Sequence, residues 1–362
     1  MNIVKATRRF EEWLGQHTSL VKPDLRSKHQ HMAEAAFPFL RATFYRWMQV
    51  WPEVCPDLAR APRVMAVGDL HLENFGIWRD IEGRLVWGVN DFDEVADLAY
   101  TIDLVRLATS ALLAIEAGHL ALKGKDACKA ILDGYRKSLS ENGRPFVVEE
   151  EHQWLRQIAT GELRDPVHFW KKMDSLPKVT GNIPPSAQEA MEHLMPEQGL
   201  DYRVVRRVAG LGSLGHVRLV AIAECHGGRV AREAKALVPS SSVYWARGEE
   251  GPAEIMYQAI INRAVRDPDP FVRVRGHWII RRLSPHCSRI ELSVLPTDRD
   301  ELRLLFAMGW ETANIHFGSR NAVKQVCRHL KTLKPKWLFS AAKDMAKAVS
   351  DDWRVWSKSG DS

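Results

Sequence analysis

The spacing of apolar residues divides the first part of the chain into helical and strand-forming stretches. Over residues 5–52, apolar positions recur three and four residues apart, which predicts helices. Two short apolar runs follow, at 63–67 and 83–91, and both are predicted to be strands. The second should pair with the FGIW segment just before it, across a turn at 80–83. From residue 99 the helical spacing returns in a long apolar stretch that is predicted to be buried.

The second part of the chain changes character near residue 200. Residues 150–200 are polar and interrupted by prolines, so this segment is the best candidate for a boundary. Residues 202–238 then predict a strand, a glycine loop, a strand, a tight turn and a third strand. The remaining predicted elements are a helix at 252–266, strands at 270–283 and 288–295, and helices from 297 onwards.

This succession of helical and strand-rich segments predicts an α+β fold. No internal repeat or low-complexity segment interrupts it. The predicted divisions are an N-terminal helical segment (1–62), a helical domain with the first strands (63–200), a β-rich domain (201–296), and C-terminal helices that return to the helical domain (297–362).

The charge balance is only mildly basic for a chain of this length. Lys and Arg number 51 and Asp and Glu 45 in 362 residues, which gives a net charge of +6 and a pI near 9.0. Such an excess fits a phosphate-bearing ligand and gives no reason to expect a nucleic-acid partner. The oligomeric state stays open.

Cysteine usage and hydropathy indicate the compartment. The five cysteines are scattered and contain no C-x-x-C pair, which favours a reducing, cytoplasmic environment over a disulfide framework or structural zinc. The N-terminal segment lacks the apolar core of a signal peptide, and no stretch is long and apolar enough to span a bilayer. We therefore expect no membrane partner.

Candidate chemistry is densest in the segments GDLHLENFG and NDFDE. The first contains Asp69, His71 and Asn74, and the second brings Asp91 and Asp93 to the end of a predicted strand. This D-L-x-x-x-N and D-F-x pair is typical of a protein-kinase-type active site. An acid on a short loop can reach an acceptor hydroxyl, while the amide and the later acids can hold magnesium against nucleotide phosphates. Asp69 and His71 are therefore predicted to be catalytic, and Asn74, Asp91 and Asp93 to be metal ligands.

A second constellation, GLGSLGHV, matches the pattern G-x-G-x-x-G-x-V in full. An alternating, β-branched segment follows it rather than a helix, which places the loop at a hairpin tip and not in a dinucleotide-binding turn. Glycines there let backbone amides approach phosphates without a Cβ clash. The predicted cofactor-binding residues of this loop are Gly210, Gly212, Ser213, Gly215 and Val217.

The strand after the glycine loop should bring a cation to the phosphates, and the sequence leaves two candidates. A small apolar residue two positions earlier, facing the base, favours Arg232, whereas a flexible ammonium favours Lys235. The following helix offers Glu254 as partner of that cation, although a solvated helix face explains this residue equally well. Asp103 and Arg106 lie on the apolar helix after the acids, where they either brace the catalytic loop or pair with each other.

GDLHLEN, NDFDE and the later IDL resemble the aminoglycoside phosphotransferase branch of the kinase-like superfamily. The chain departs from that branch at Val67, where the branch has histidine. IDLVRLATS, VAGLGSLGHVRL and REAKAL make it still more similar to a bacterial family known as domain of unknown function 2252, over most of residues 25–320. That family has no assigned activity.

The resemblance implies a role for each matching residue. Asp69 would be the base that orients the acceptor, Asn74 and Asp91 would bind Mg²⁺, and the three glycines would cover the phosphates of ATP. Kinases place the glycine loop before the catalytic loop, whereas here it follows by about 140 residues. The expected fold is therefore kinase-like and two-lobed but circularly permuted, with the catalytic-loop lobe first and the glycine-loop sheet lobe second.

The leading functional hypothesis is an ATP- and Mg²⁺-dependent phosphotransferase acting on a small-molecule or protein hydroxyl. One alternative is a nucleotidyl transferase on the same scaffold. Another is a nucleotide-binding pseudokinase, because the usual residue before Asp69 is missing. A third is a metallophosphoesterase, because GDLHLEN also resembles a D-x-H metal motif, although the G-D-x-x-D and G-N-H phrases of that class are lacking.

Overall fold

Helices make up the larger part of the structure and strands form several small sheets, so the predicted α+β class is confirmed. The structure is a computed structural model that describes residues 1–149, 152–159, 165–179, 181–247, 254–285, 287–289 and 300–360.

The α-helices, numbered in chain order, are α1 (Ile3–His17), α2 (Lys22–Glu34), α3 (Ala36–Ala42), α4 (Phe44–Val54), α5 (Pro56–Ala59), α6 (Thr101–Glu116), α7 (Gly124–Glu141), α8 (Gln153–Ala159), α9 (Pro166–Asp174), α10 (Pro185–Glu192), α11 (Ser241–Arg247), α12 (Tyr257–Arg263), α13 (Glu301–His316), α14 (Arg320–Thr332) and α15 (Trp337–Trp356). The strands are β1 (Arg63–Ala66), β2 (Phe75–Arg79), β3 (Leu85–Val89), β4 (Ala96–Ala99), β5 (Phe146–Val147), β6 (Tyr202–Arg206), β7 (Arg218–Cys225), β8 (Gly228–Ala236), β9 (Arg273–Arg275), β10 (Trp278–Leu283) and β11 (Ser288–Arg289).

The β2–β3 hairpin forms across the predicted turn. Asp80 N donates to Arg84 O, and Gly83 N donates to Asp80 O. Gly83 has φ +78°, a left-handed conformation that glycine adopts without strain. β11 and β5 extend the hairpin on its two sides to give the order β11-β2-β3-β5. The loop that carries Asp91 follows directly from the end of β3.

A five-stranded antiparallel sheet has the order β6-β7-β8-β10-β9. Because side chains alternate between the two faces of a strand, Ala221, Ala234 and Ile280 lie together on one face, where α10 packs against them. Val220 and Leu283 lie on the opposite face, where α9 covers one end of the sheet. The uncovered part of that opposite face borders a cleft.

The main apolar core joins the two ends of the chain to its middle. Helix α6 is buried on nearly all sides and packs against α3, α7, α13 and α15. Helices α7 and α13 approach so closely that a Cβ on Gly134 would collide with Phe306 O, and a Cβ on Gly309 would collide with Ile131 O. The C-terminal helices therefore complete the core begun by residues 63–141.

Several elements differ from their predicted bounds. Ala96–Ala99 forms β4, paired with β1, so the helix predicted from residue 99 begins two residues later at Thr101. The helix predicted at 252–266 is seen as α12; residues 252–253 lie outside the described ranges. Most of the strand predicted at 288–295 also lies outside them, and its first two residues pair with β2.

Within the described ranges, no helix is both long and apolar enough to cross a bilayer.

Candidate functional site

The loop between β1 and the 3-10 turn at 72–74 is fixed by a buried carboxylate. Asp103 accepts hydrogen bonds from Val67 N (2.7 Å), Gly68 N (2.8 Å) and His316 Nε2 (3.0 Å), and it is completely buried. Gly68 has φ +81°, and a Cβ there would meet Glu94 O. Asp103 therefore braces the loop, as one of its two predicted roles required.

Asp69 points from this loop into the cleft and is held by one guanidinium. Arg106 Nε donates to Asp69 Oδ1 at 2.8 Å, and Arg106 Nη2 also contacts that oxygen and donates to Leu40 O. Burial raises the pKa of Asp69 to about 6, while Arg106 acts in the opposite direction. The second carboxylate oxygen, Oδ2, stays available toward the cleft.

His71 and Asn74 organise the same loop. Asn74 Nδ2 donates to Asp69 O at 2.6 Å, so the amide oxygen is the atom left for a ligand. His71 Nδ1 accepts from Glu73 N at 3.2 Å, and the ring is buried. Both residues line the cleft. Asn74 can serve as an oxygen ligand, whereas His71 contributes to the shape of the loop.

Asp91 and Asp93 converge on a single lysine of the five-stranded sheet. Lys235 Nζ lies 3.6 Å from Asp91 Oδ1 and forms a closer ion pair with Asp93 Oδ2. Burial alone would raise the pKa of Asp91, but Lys235 and Arg281 hold it well below its usual range. Burial and the charge of Asp91 raise the pKa of Asp93 instead. One acid of the pair is thus kept ionised.

The glycine loop connects β6 to β7, as predicted, and lies directly over the loop that carries Asp69. A Cβ on Gly212 would come within 3.5 Å of Asp69 Oδ2 and 3.1 Å of Arg41 O. Lys28 Nζ, from α2, donates to Gly212 O at 3.0 Å. Gly215 O accepts from the backbone N–H of residue 21 at 2.8 Å.

Both motifs border the same cleft, which has a volume of about 1210 Å³. The predicted residues that line it are Asp69, His71, Asn74, Asp91, Asp93, Gly210, Gly212 and Ser213. Segments about 140 residues apart in sequence therefore contribute to one site.

Two further residues that were predicted to bind the cofactor, Val217 and Arg232, do not line the cleft. Val217 packs on the opposite face of the sheet, against the α10 cluster, because strand alternation turns Arg218 toward the cleft instead. Arg232 also points to that opposite face, where its Nε donates to Leu194 O and its guanidinium lies over the ring of Phe271. Of the two candidate cations, Lys235 is thus the one on the cleft face of the sheet, where it is completely buried and pairs with Asp91 and Asp93.

Glu254 and Gly215 are also outside the cleft lining. Glu254 is exposed and precedes α12, so it does not lie on the helix where we expected it. The ion pairs of the buried Lys235 in the described ranges are with Asp91 and Asp93. Gly215 faces Leu25, with φ +100°, and shapes the end of the glycine loop.

Sequence reasoning missed several residues of the site. Glu94 follows the acid pair, accepts from Ser240 Oγ, Ser241 N and Ser241 Oγ, and has a pKa raised to about 7 by burial and by Asp69. Lys28 lies outside both of the motifs that predicted the site. Glu233, two positions before Lys235, shares its face of the strand, and this alternation was a usable signal.

A further group of metal-ligand side chains lies at the tip of the β7–β8 hairpin. Glu197, Cys225 and His226 bring one ligand atom each within 4.8 Å of one another, and no other such group of His, Cys, Asp and Glu was found in the described ranges. His226 Nε2 already pairs with Glu197 Oε1 at 2.8 Å. None of the three lines the cleft.

Residues 20–195, which contain the loop of Asp69 and the acid pair, match one family model. This family is described as "Uncharacterized protein conserved in bacteria (DUF2252)". The chain is similar to it over slightly less than half of its length, which is a shorter span than the sequence motifs suggested, and the match ends before the glycine loop.

No curated protein and no solved structure matches the chain. The family description carries no activity. The resemblance to aminoglycoside phosphotransferases gains no support from these comparisons, so it rests on the residues and their geometry.

Proposed function

We propose that this chain is an ATP- and magnesium-dependent phosphotransferase of kinase-like type that acts on a hydroxyl group. The observation that carries the proposal is the close approach of Gly212 to Asp69, where a Cβ on Gly212 would lie 3.5 Å from Oδ2, because it joins two motifs far apart in sequence at one cleft. Two accidental matches would have no reason to meet. The same close approach supports a circularly permuted arrangement in which the catalytic loop precedes the sheet.

Asp69 is suited to orient an acceptor hydroxyl and to take its proton. Arg106 occupies Oδ1 and fixes the carboxylate plane, so Oδ2 is the atom available to the acceptor. Asn74 holds the backbone of the same residue. Phosphoryl transfer depends mainly on positioning and electrostatic stabilisation, and this loop supplies the positioning.

The residues present fit a magnesium ion. Asp93 Oδ1 is buried and has no hydrogen-bond partner within the described ranges, which is unusual for a carboxylate oxygen. Asp91 is kept ionised by its cationic neighbours. Asn74, Asp91 and Asp93 are all oxygen donors, the type that Mg²⁺ prefers. When bound, the ion would neutralise phosphate charge, and Asn74, Asp91 and Asp93 would hold it.

Lys235 is the proposed phosphate ligand of the sheet. Its ammonium pairs with Asp91 and Asp93. In the described ranges it forms no other ion pair. In the nucleotide complex Asp91 and Asp93 would hold the ion, and Lys235 would donate to the phosphate oxygens instead of pairing with the acids.

The alternatives differ in how much the geometry supports them. A nucleotidyl transferase or a pseudokinase would use the same cleft. A metallophosphoesterase has less support, because Asp69 is engaged by Arg106 and His71 Nδ1 accepts from a backbone N–H. A cytoplasmic location, where ATP is abundant, fits the proposal.

Asp91→Asn is expected to remove the magnesium dependence of ATP binding, because the amide lacks the charge that attracts the ion. Titration calorimetry with and without Mg²⁺ should show the affinity gain from magnesium fall by at least about tenfold. Asp97→Asn, an exposed acid on β4 that pairs with Arg63, is the control and should leave the gain unchanged. An unaltered magnesium effect in folded Asp91→Asn protein would exclude Asp91 as the main ligand.

The rate of transfer should depend on the ionisation of Asp69. Burial raises the pKa of Asp69 to about 6, with Arg106 and Arg41 opposing and Asp91 reinforcing the rise. A proton acceptor works only when ionised, so turnover should fall as the pH drops through about 6. Initial rates between about pH 5 and pH 8 would show this midpoint. A rate that stays almost level down to pH 5, as an ordinary pKa of about 4 would give, would contradict the buried environment.

A further inference from the structure

The cleft face of the five-stranded sheet carries an unusual concentration of charge. Cross-strand pairing places Arg218 of β7 opposite Lys235 of β8, and Glu233 of β8 opposite Arg281 of β10. The side chain of Arg207, just after β6, also reaches the carboxylate of Glu233. Three arginines therefore surround one glutamate, and Lys235 is a fourth cation on the same face of the sheet.

Three of these cations share the single carboxylate of Glu233. Arg207 Nη1 donates to Glu233 Oε1 at 2.5 Å, Arg218 Nη1 lies 3.2 Å from both oxygens, and Arg281 Nε lies 3.3 Å from Oε2. Glu233 is fully buried, and burial would raise its pKa, but the arginines hold the pKa far below its usual range. Together with Lys235 and the two acids that pair with it, four cations face three carboxylates, so one positive charge remains in surplus.

The surplus faces the cleft. Arg207, Arg218 and Arg281 all line it, and Arg218 is only 7% exposed. Arg218 Nη2 donates to Ser213 Oγ at 2.8 Å, which sets the cluster directly beneath the glycine loop. In the described ranges, the buried Nη2 of Arg281 has no hydrogen-bond partner. Guanidinium donors in a sheltered cleft are suited to bidentate contacts with phosphate oxygens.

The same residues make this face unsuited to an adenine ring. A base held against the sheet would need a small apolar residue two positions before Lys235, and that position is Glu233 with its arginines. Burying a neutral ring there would cover charged groups without pairing them. The alternative, that the arginines serve only to neutralise Glu233, does not account for Nη2 of Arg281, which has no hydrogen-bond partner in the described ranges.

We propose that Arg207, Arg218 and Arg281 form a binding site for the terminal phosphates of the nucleotide, so that a polyphosphate group rather than the base lies against the sheet. This rests on the proposed function only in taking the ligand to be a nucleotide. The ligand class that the cluster recognises is a linear polyphosphate with three or more negative charges.

The experiment measures binding rather than transfer. Calorimetry on the full chain without added metal should show that affinity rises from adenosine to AMP, ADP and ATP, and that inorganic tripolyphosphate binds as well. Arg281→Met should weaken tripolyphosphate by about tenfold or more and flatten the rise with phosphate number, since charge-assisted hydrogen bonds are lost. Arg281→Lys, which keeps the charge but not the fork, should fall between the two.

Arg203→Met is the matched control, because Arg203 is an exposed arginine of β6 that pairs with Asp174. It should leave every affinity unchanged, and thermal melting should show all variants folded. The proposed phosphate site would be wrong if wild-type protein did not bind tripolyphosphate. It would also be wrong if a folded Arg281→Met variant bound tripolyphosphate normally, even if the protein turned over ATP. If tripolyphosphate binding depends on Arg281 but the protein transfers no group, the phosphate site would be supported and the proposed phosphotransferase function would be contradicted.

Discussion

Replacing Asp69 with asparagine is expected to lower turnover by about a hundredfold or more while ATP affinity stays nearly constant, in the range for a positioned acid–base group. Asparagine can still accept from Arg106 through its Oδ1, so the loop should keep its shape. It cannot take a proton from an acceptor hydroxyl. Parallel measurements of ATP consumption and nucleotide affinity would separate these two effects.

Asp57→Asn provides the comparison for Asp69→Asn, because Asp57 is an exposed acid on α5 whose partner is Arg60. Neither turnover nor affinity should change in that variant. Equal loss of both quantities in Asp69→Asn would make the residue a metal ligand or a structural group, and would favour the phosphoesterase alternative. Tight ATP binding by a wild type that turns over no acceptor would favour a pseudokinase.

Replacing Asp103 with alanine should destabilise the protein by about 3–5 kcal/mol, the range for removing one partner from a buried charged network. The substitution leaves Val67 N, Gly68 N and His316 Nε2 without their acceptor in a fully buried site. Each buried donor left unpaired carries its own desolvation cost. Urea unfolding followed by circular dichroism would give the change in unfolding free energy.

Asp126→Ala is a close control for Asp103→Ala. Asp126 also lies in the first turn of a helix, α7, but is exposed. Its loss should cost less than about 1 kcal/mol through the helix dipole. Two variants of similar stability would show that the loop carrying Asp69 does not depend on the Asp103 carboxylate.

The parts of the site that sequence could predict are those defined by local pattern. The turn at 80–83, the acids after β3 and the glycine loop between two strands all follow from residues adjacent in sequence. Asp103 required one further step, since a charge on an apolar helix needs a buried partner. These are short-range signals, and the structure places each of them as expected.

The parts that sequence could not predict depend on partners far along the chain. Lys28 reaches Gly212, and Arg281 reaches Glu233, only because the fold brings their elements together. β4 is a four-residue strand whose identity depends on pairing with β1. The choice between Arg232 and Lys235, in contrast, had a local signal in the sequence. Strand alternation places Lys235 and Glu233 on one face of β8 and Arg232 on the other.

The helix that completes the core around the loop of Asp69 is synthesised long after that loop. Asp103 leaves the ribosome long before His316, its third partner on α13, and translation of the intervening residues takes roughly 10–40 s. The five-stranded sheet of β6 to β10 can form all its hydrogen bonds between strands as soon as Leu283 has left the ribosome. Until α13 docks, the apolar surface that it covers on α6 and α7 remains exposed to water, and exposed apolar surface of this kind promotes aggregation of the nascent chain.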